Sequence, residues 1–308
     1  MRRLATAVIA AAAFLAGTAV TAACTHAPAP ARTTAQHSIT ARPALLPGPR
    51  YYLALGDSLA RGVQPDATGA SRPTSQGYPD QLYATLRRAQ PGLRLVKLGC
   101  SGETSWTMVA GGTCRYPAAG SQLGAARQFL RAHRGHVALV TIDIGANDPN
   151  SCYQHARLSQ LPSCMAARLR LTVTDLRTIL SGLRAAGGPA VLLAGMNYYV
   201  PELAQWRHGH TGQELAVLTE RLVNGYNILL RREYAAYGAA TADVFGAFRS
   251  ADFAGRVPVP GLGRLPRSVA VICRLTWECA AAPRGPNEHA NEAGYAVIAA
   301  AFRAVLPR

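Results

Sequence analysis

A serine at position 58 sits in the tetrapeptide Gly56-Asp57-Ser58-Leu59, directly after an apolar run, Tyr51–Leu55, that has the length of a strand. The residues that follow read as a helical turn, so Ser58 is expected at a helix start. There the first backbone N–H groups lack an intrahelical acceptor. Such donors can hold the oxyanion of an acyl-transfer intermediate, and a serine hydroxyl beside them becomes a nucleophile once a base takes its proton. The glycine before the pair lets the chain turn sharply. A serine in this place can also do no more than cap the helix, so the tetrapeptide alone is only suggestive.

Three further segments give it company. Gly99-Cys100-Ser101-Gly102-Glu103-Thr104 follows the apolar run Leu93–Leu98. Asp143-Ile144-Gly145-Ala146-Asn147-Asp148 follows Val137–Ile142, and Gly285 to Tyr295 (GPNEHANEAGY) opens a last helical stretch. Singly, each is ordinary turn chemistry. Together they are ordered along the chain, three behind predicted strands and the fourth ahead of a helix.

The elements that must hold these segments are legible as a pattern. Runs at Tyr51–Leu55, Leu93–Leu98, Val137–Ile142, Ala190–Ala194 and around Ala242–Phe245 are bounded by Gly, Pro or Asp, as strands are. Between them, helical spacing runs through Pro79–Ala89, Leu169–Ala186, Glu214–Tyr237 and Glu292–Val305. Leu215, Leu218, Leu222 and Tyr226 fall three to four apart on one helix face, which predicts core packing. Strand alternating with helix predicts an α/β fold, a three-layer α/β/α sandwich around a parallel sheet of about five strands. Such sheets carry their sites at the carboxyl ends of the strands.

The four segments resemble the four blocks of the SGNH (GDSL) hydrolases, in particular secreted actinobacterial esterases and lipases with three disulfides, from about Tyr51 to the C-terminus. Ser58 matches the serine of the G-D-S-L block, Gly102 the glycine of the second, Asn147 the asparagine of G-x-N-D, and His289 the histidine of the last. Asn291 and Gly294 stand where H-P-N-x-x-G has them. The resemblance implies a flavodoxin-like sheet and a serine ester hydrolase with no cofactor and no metal. It also implies Ser58 as nucleophile, His289 as general base, and an oxyanion hole from the Ser58 and Gly102 amides and the Asn147 side chain. No G-x-S-x-G elbow is present. Two departures stand out. The family's aspartate three residues before the histidine is Pro286 here, and its proline after the histidine is Ala290. The first predicts a Ser–His pair whose imidazole is oriented by a main-chain carbonyl near Pro286, with Glu288 pointing elsewhere and Asp148 as a conceivable distant acid. Of the other histidines, His208 and His210 lack partners at metal-ligand spacing and are expected in a surface loop. Tyr198, Tyr199 and Trp206 either line an acyl or sugar pocket or are ordinary packing.

Composition sets the context. The chain has 308 residues, 49% hydrophobic, with a formal charge of +16, yet no run of five or more basic residues and a single lysine, Lys97. That speaks against nucleic acid as a partner. Residues 1–23 carry Arg2 and Arg3, an apolar run Leu4–Val20 and small residues at Thr21, Ala22 and Ala23, the pattern of an export signal. Residues 24–49, rich in Pro, Ala and Thr, read as a tether, and 50–308 as the hydrolase domain. Seven cysteines leave one over. Local pairing (Cys100–Cys114, Cys152–Cys164, Cys273–Cys279) is the simplest of the 15 connectivities open to six and fits an oxidising compartment. The remaining Cys24 resembles the lipid-accepting cysteine of a bacterial lipoprotein, so the released and the membrane-tethered form both stay open. The expected protein is an extracytoplasmic monomer acting on small-molecule or lipid esters. A carbohydrate O-deacetylase, or a tethered binding protein with a decayed site, is the alternative.

Overall fold

A computed structural model describes residues 50–149, 152 and 160–307; the segments expected as export signal and tether, with Cys24, lie outside these residues. Five parallel strands form the central sheet: β1 (Arg50–Gly56), β4 (Leu93–Lys97), β5 (Val137–Asp143), β6 (Leu192–Met196) and β7 (Ala240–Ala242). Their order is β4-β1-β5-β6-β7, the flavodoxin-like order. Two short hairpins stand apart, β2 (Gln64–Pro65) with β3 (Ser71–Arg72), and β8 (Arg256–Val259) with β9 (Gly263–Pro266). The helices are α1 (Ser58–Arg61), α2 (Tyr78–Ala89), α3 (Ser105–Ala110), α4 (Gln122–Ala132), α5 (Leu161–Gly187), α6 (Gly209–Ala236), α7 (Val244–Ala247), α8 (Arg267–Leu275) and α9 (Glu292–Ala304), with a 3-10 helix at Pro201–His208.

The layers follow from right-handed crossovers. The chain steps from β1 outward to β4 through α2, then returns past β1 to β5 through α4, so α2 and α4 lie on opposite faces. Tyr78 of α2 stacks on Phe302 of α9 at 4.8 Å, which puts the last helix on the α2 face. On the other face Arg177 of α5 grips Glu233 of α6 with two hydrogen bonds of 2.8 Å. The middle strands are covered on both sides, which is why β1 is buried from Tyr52 to Gly56 and reads as a continuous apolar run. The strand order reverses at β1. Its carboxyl end is therefore the switch point where such sheets leave a crevice, and Ser58 sits two residues beyond it.

Gly56 closes β1 at φ 135°, and a Cβ there would stand 2.1 Å from the carbonyl oxygen of Asp143. Only glycine lets β1 and β5 meet this closely. Gly56→Ala is expected to destabilise the fold by about 3 kcal/mol or more, read as a lower urea midpoint; an unchanged midpoint would show that the strands can part at no cost.

Several expectations need correcting. The last two strands lie off their predicted places: β6 ends at Met196 rather than Ala194, and β7 stops at Ala242. The reason for the latter is Asp243, whose side chain accepts from Gly246 N and caps the helical turn α7. Helix α5 begins eight residues before the predicted Leu169, and α6 five before Glu214. The stripe expected in the core is instead largely exposed: Leu215 is 43%, Leu218 45% and Leu222 54% accessible, and only Tyr226 of that set packs inward. Periodicity shows that residues share a face, not which way the face points. His210 lies in the first turn of α6, its Nε2 3.2 Å from Glu214, rather than in a loop.

Candidate active site

The site forms where four connections converge at the carboxyl edge of the sheet. Asp57 caps α1, its Oδ1 accepting from Leu59 N at 2.9 Å. This places Ser58 as the first helical residue. The turn is anchored from below by β5. The Asp143 carboxylate accepts from Asp57 N (3.3 Å), from Ala60 N (3.2 Å) and from the Tyr78 hydroxyl. Asp57 and Asp143 are both fully buried. Burial raises both carboxyls, Asp57 to about 6 and Asp143 well above the usual range, where the neighbouring Asp57 charge adds to the effect.

The second loop is bound to the first. Cys100 N donates to Gly56 O at 3.0 Å, and Glu103 N closes a tight turn onto Cys100 O at 3.1 Å. Gly102 holds the left-handed position within it, φ 79°, which a side chain would strain. Gln122, wholly buried at the start of α4, ties the set together. Its Oε1 accepts from Gly56 N (2.7 Å), and its Nε2 donates to Gly56 O (2.9 Å) and to Glu103 Oε2 (3.0 Å). From the loop after β5, Asn147 Nδ2 donates to Glu103 O at 3.0 Å and lies 3.4 Å from Asp57 Oδ2. Ser58, the Gly102 turn and Asn147 are thus brought to one place by main-chain and amide contacts.

The fourth connection brings the imidazole. His289 is 8% exposed, and its Nε2 lies 2.8 Å from Ser58 Oγ. Its other ring nitrogen, Nδ1, is 2.8 Å from Asn287 Oδ1. This corrects the expected role of the Pro286 carbonyl: the orienting acceptor is the side chain one residue later. The cause is local. An Asn side chain reaches the backbone two residues on, and Asn287 Oδ1 accepts from His289 N at 3.0 Å. That bond also settles the proton. A backbone N–H can only donate, so the amide must present its oxygen, and the same oxygen then requires Nδ1 to carry hydrogen. Nε2 is left with a lone pair facing the Ser58 hydroxyl. Asn287 Nδ2 donates onward to Ser71 Oγ at 3.2 Å.

Glu288 does not point fully away either. Its largely exposed carboxylate stands 3.7 Å from Nδ1. Burial holds the His289 pKa below the usual 6.5, with Glu288 pulling the other way. Asp148, the conceivable distant acid, is committed elsewhere, accepting from Ser105 N (2.9 Å) and Ser105 Oγ (3.1 Å). Tyr198 and Tyr199 are packing residues: both are buried, and Tyr199 stacks on Phe248 at 4.4 Å. Tyr199 also supports the histidine segment, its hydroxyl donating to Glu288 O at 2.8 Å. Trp206 packs against Phe253 at 5.5 Å.

Three disulfides brace the surroundings: Cys100–Cys114, Cys152–Cys164 and Cys273–Cys279. The last lies beside Trp277, whose backbone N–H donates to His289 O at 3.1 Å. Among the described residues no cluster of three His, Cys, Asp or Glu side chains is arranged to hold a metal. Sequence reading missed Asn287 and Gln122, and singled out Tyr199 as a pocket or packing residue without its bond to the histidine segment. Only Asn287 carried a signal, an Asx residue two before the histidine.

Comparison with known proteins bears on the family and the fold. The model of the GDSL-like Lipase/Acylhydrolase family matches residues 54–297. An extracellular lipase from Streptomyces rimosus superposes with a TM-score of 0.54 at 17% identity, covering 83% of this chain and 100% of its own. A lipase from a goat rumen metagenome gives 0.52 at 15%, covering 83% and 97%. Phospholipase A1 from Streptomyces albidoflavus gives 0.48 at 18%, covering 84% and 100%. At these identities the likeness is one of fold. No curated protein matches the chain.

Proposed function

Because the chain belongs to the GDSL-like lipase/acylhydrolase family, we propose that it hydrolyses carboxylic esters outside the cytoplasm through an acyl-enzyme on Ser58. The observation that carries this reading is the pairing of Ser58 Oγ with a His289 Nε2 whose lone pair is fixed by Asn287. As Oγ attacks the ester carbonyl, its proton passes to Nε2. The tetrahedral oxyanion faces the Ser58 and Gly102 amides and the Asn147 side chain. The carbon–oxygen bond to the alcohol breaks as the alcohol takes the proton from Nε2. Water repeats the sequence and releases the acid. The disulfides support an oxidising compartment. Anchorage through Cys24, and a monomeric state, belong to the same proposal.

The acyl-ester reading, esterase or lipase, comes first. One observation favours a second, a carbohydrate O-deacetylase. An open groove of about 810 Å³ runs along the outer side of the histidine segment, with Gln64, Asp66, Gln76, Trp277, Arg284 and Glu292 among its lining residues, a mixture of an aromatic face and polar groups suited to a sugar. Neither Ser58 nor His289 lines it.

A fluorophosphonate probe with p-nitrophenyl esters from acetate to palmitate, beside acetylated xylan, tests the proposal. Labelling of Ser58 with turnover of acyl chains longer than acetate is expected, and a preference beyond about eight carbons selects the lipase. Release of acetate from xylan with acetate-only turnover selects the deacetylase, and no labelling with no turnover defeats both and leaves a binding protein.

A further inference from the structure

Resting on the acyl-ester reading, we infer that the apolar rim formed by Trp106, Leu171, Leu215, Leu218 and Leu222 docks the protein onto an anionic lipid surface with the catalytic edge facing it. All five side chains are between 43% and 61% accessible. Scattered apolar residues on a surface are ordinary, but a contiguous exposed group marks an interaction site, so their placement decides the matter.

That placement follows from hydrogen bonds already fixed. Asn227 of α6 exchanges two bonds with Tyr198, accepting from its N–H at 2.9 Å and donating to its carbonyl at 2.8 Å. Tyr198 lies two residues past the end of β6, so Asn227 marks the carboxyl edge of the sheet on α6. Leu222, Leu218 and Leu215 precede it on the helix, and at a rise of about 1.5 Å per residue Leu215 stands roughly 18 Å beyond that mark. Helix α6 enters a parallel sheet from its carboxyl side, the side that carries Ser58 and His289. The stripe therefore rises past the catalytic edge instead of lying along the flank of the sheet.

Leu171 and Trp106 sit on the same side. A Cβ on Gly145, in the Asn147 loop, would meet both Tyr226 of α6 and Thr172 of α5, which sets Leu171 at the level where the stripe begins. Ser105 Oγ donates to Asp175 of α5 at 3.0 Å. The residue after Ser105 is Trp106, and Leu171 lies one helical turn before Asp175. The rim thus crosses three helices on the oxyanion-loop side of the site.

The charge beside it selects the partner. Arg168, Arg170, Arg207 and Arg221 are exposed on α5, the 3-10 helix and α6. Against these four arginines the exposed acids on the same segments are Glu202 and Glu214, the latter with His210 at 3.2 Å, while Glu220 is buried. Leucines that can enter the headgroup boundary and arginines that can meet phosphates are the two terms of interfacial binding. A neutral glycan offers a partner to neither.

The test uses the full chain, comparing variants with one another so that any contribution of residues 1–49 cancels. Co-sedimentation with phosphatidylcholine vesicles containing phosphatidylglycerol is the first readout, and turnover of a micellar long-chain ester relative to soluble p-nitrophenyl acetate is the second. The triple substitution Leu215→Ser, Leu218→Ser, Leu222→Ser is expected to weaken vesicle partition at least tenfold and to lower the micellar-to-soluble ratio likewise. Ile228→Ser, equally exposed on α6 but off the stripe, leaves partition unchanged. Partition that survives the triple substitution, or falls equally with Ile228→Ser, overturns the inference. So does a wild-type dimer that the substitution converts to monomer, since the face then belongs to a second copy. Absence of soluble-ester turnover and of Ser58 labelling defeats the ester-hydrolase reading separately, whatever the vesicles report.

Discussion

Turnover of a soluble ester is expected to fall by about ten-thousandfold or more in His289→Ala, and by a similar factor in Ser58→Ala. The size follows from what is removed. Without the imidazole, the Ser58 hydroxyl keeps its proton at neutral pH and is a poor nucleophile. Without the hydroxyl, the imidazole has nothing to activate within 2.8 Å. The two groups act as a unit, so the double variant should lose little beyond either single one. A residue of catalysis is expected to persist in all three, because the amides facing the oxyanion are untouched. Both side chains lie at the sheet edge rather than in its core, and circular dichroism should report an unchanged fold. Multiplicative losses in the double variant would mean that serine and histidine serve separate steps, and the proposed proton path would fall with that result.

Asn287 carries the second large effect. Asn287→Ala leaves Nδ1 without its acceptor, and the ring can then place its hydrogen on either nitrogen or turn away from Ser58. A fall in kcat of about 10²- to 10³-fold is expected, with KM little changed, by analogy with triads whose histidine is held in the wrong tautomer, where the loss is about 10⁴. Asn287→Asp is the informative partner. It keeps the acceptor and adds a charge, which favours the protonated ring and raises its pKa. Only the neutral ring can accept the serine proton. The sign is therefore fixed: wild-type activity should persist below pH 6.5, since burial lowers the His289 pKa, and the acid limb of the aspartate variant should move to higher pH. At alkaline pH its kcat should equal or exceed that of wild type. If Asn287→Ala is as active as wild type, the exposed Glu288 carboxylate orients the ring instead, and Glu288→Gln would then carry the loss.

The residues proposed to do chemistry were more legible than the elements that hold them. Ser58, Gly102, Asn147 and His289 each stand in a short segment whose residue types are tightly constrained, and β1 and β5 are largely buried along their length, so their runs are nearly unbroken. The end of β7 was not legible because the apolar letters resume after Asp243, which caps a helical turn there and accepts from Asn197 Nδ2 at 2.7 Å, a choice made by tertiary contacts. Asn287 was overlooked for a different reason. A carboxylate three residues ahead of the histidine was the expected donor of orientation, whereas the chain uses an amide two residues ahead, whose reach depends on backbone turns invisible in a letter string. The Leu215 stripe shows the converse failure. Its spacing was read correctly, but its direction depends on where α6 lies against the sheet, and no local pattern encodes that.

The short strands at the borders of the sheet have a bearing on how the chain behaves when concentrated. Parallel sheets with long, flat, apolar margins invite a neighbouring molecule to add a strand and so start fibrils. Here one margin, β7, is only three residues long. The other, β4, interrupts its apolar sequence with Arg94 and Lys97, the latter bound to Asp80 at 2.8 Å. Neither offers a template of useful length, which protects the protein against edge-to-edge polymerisation.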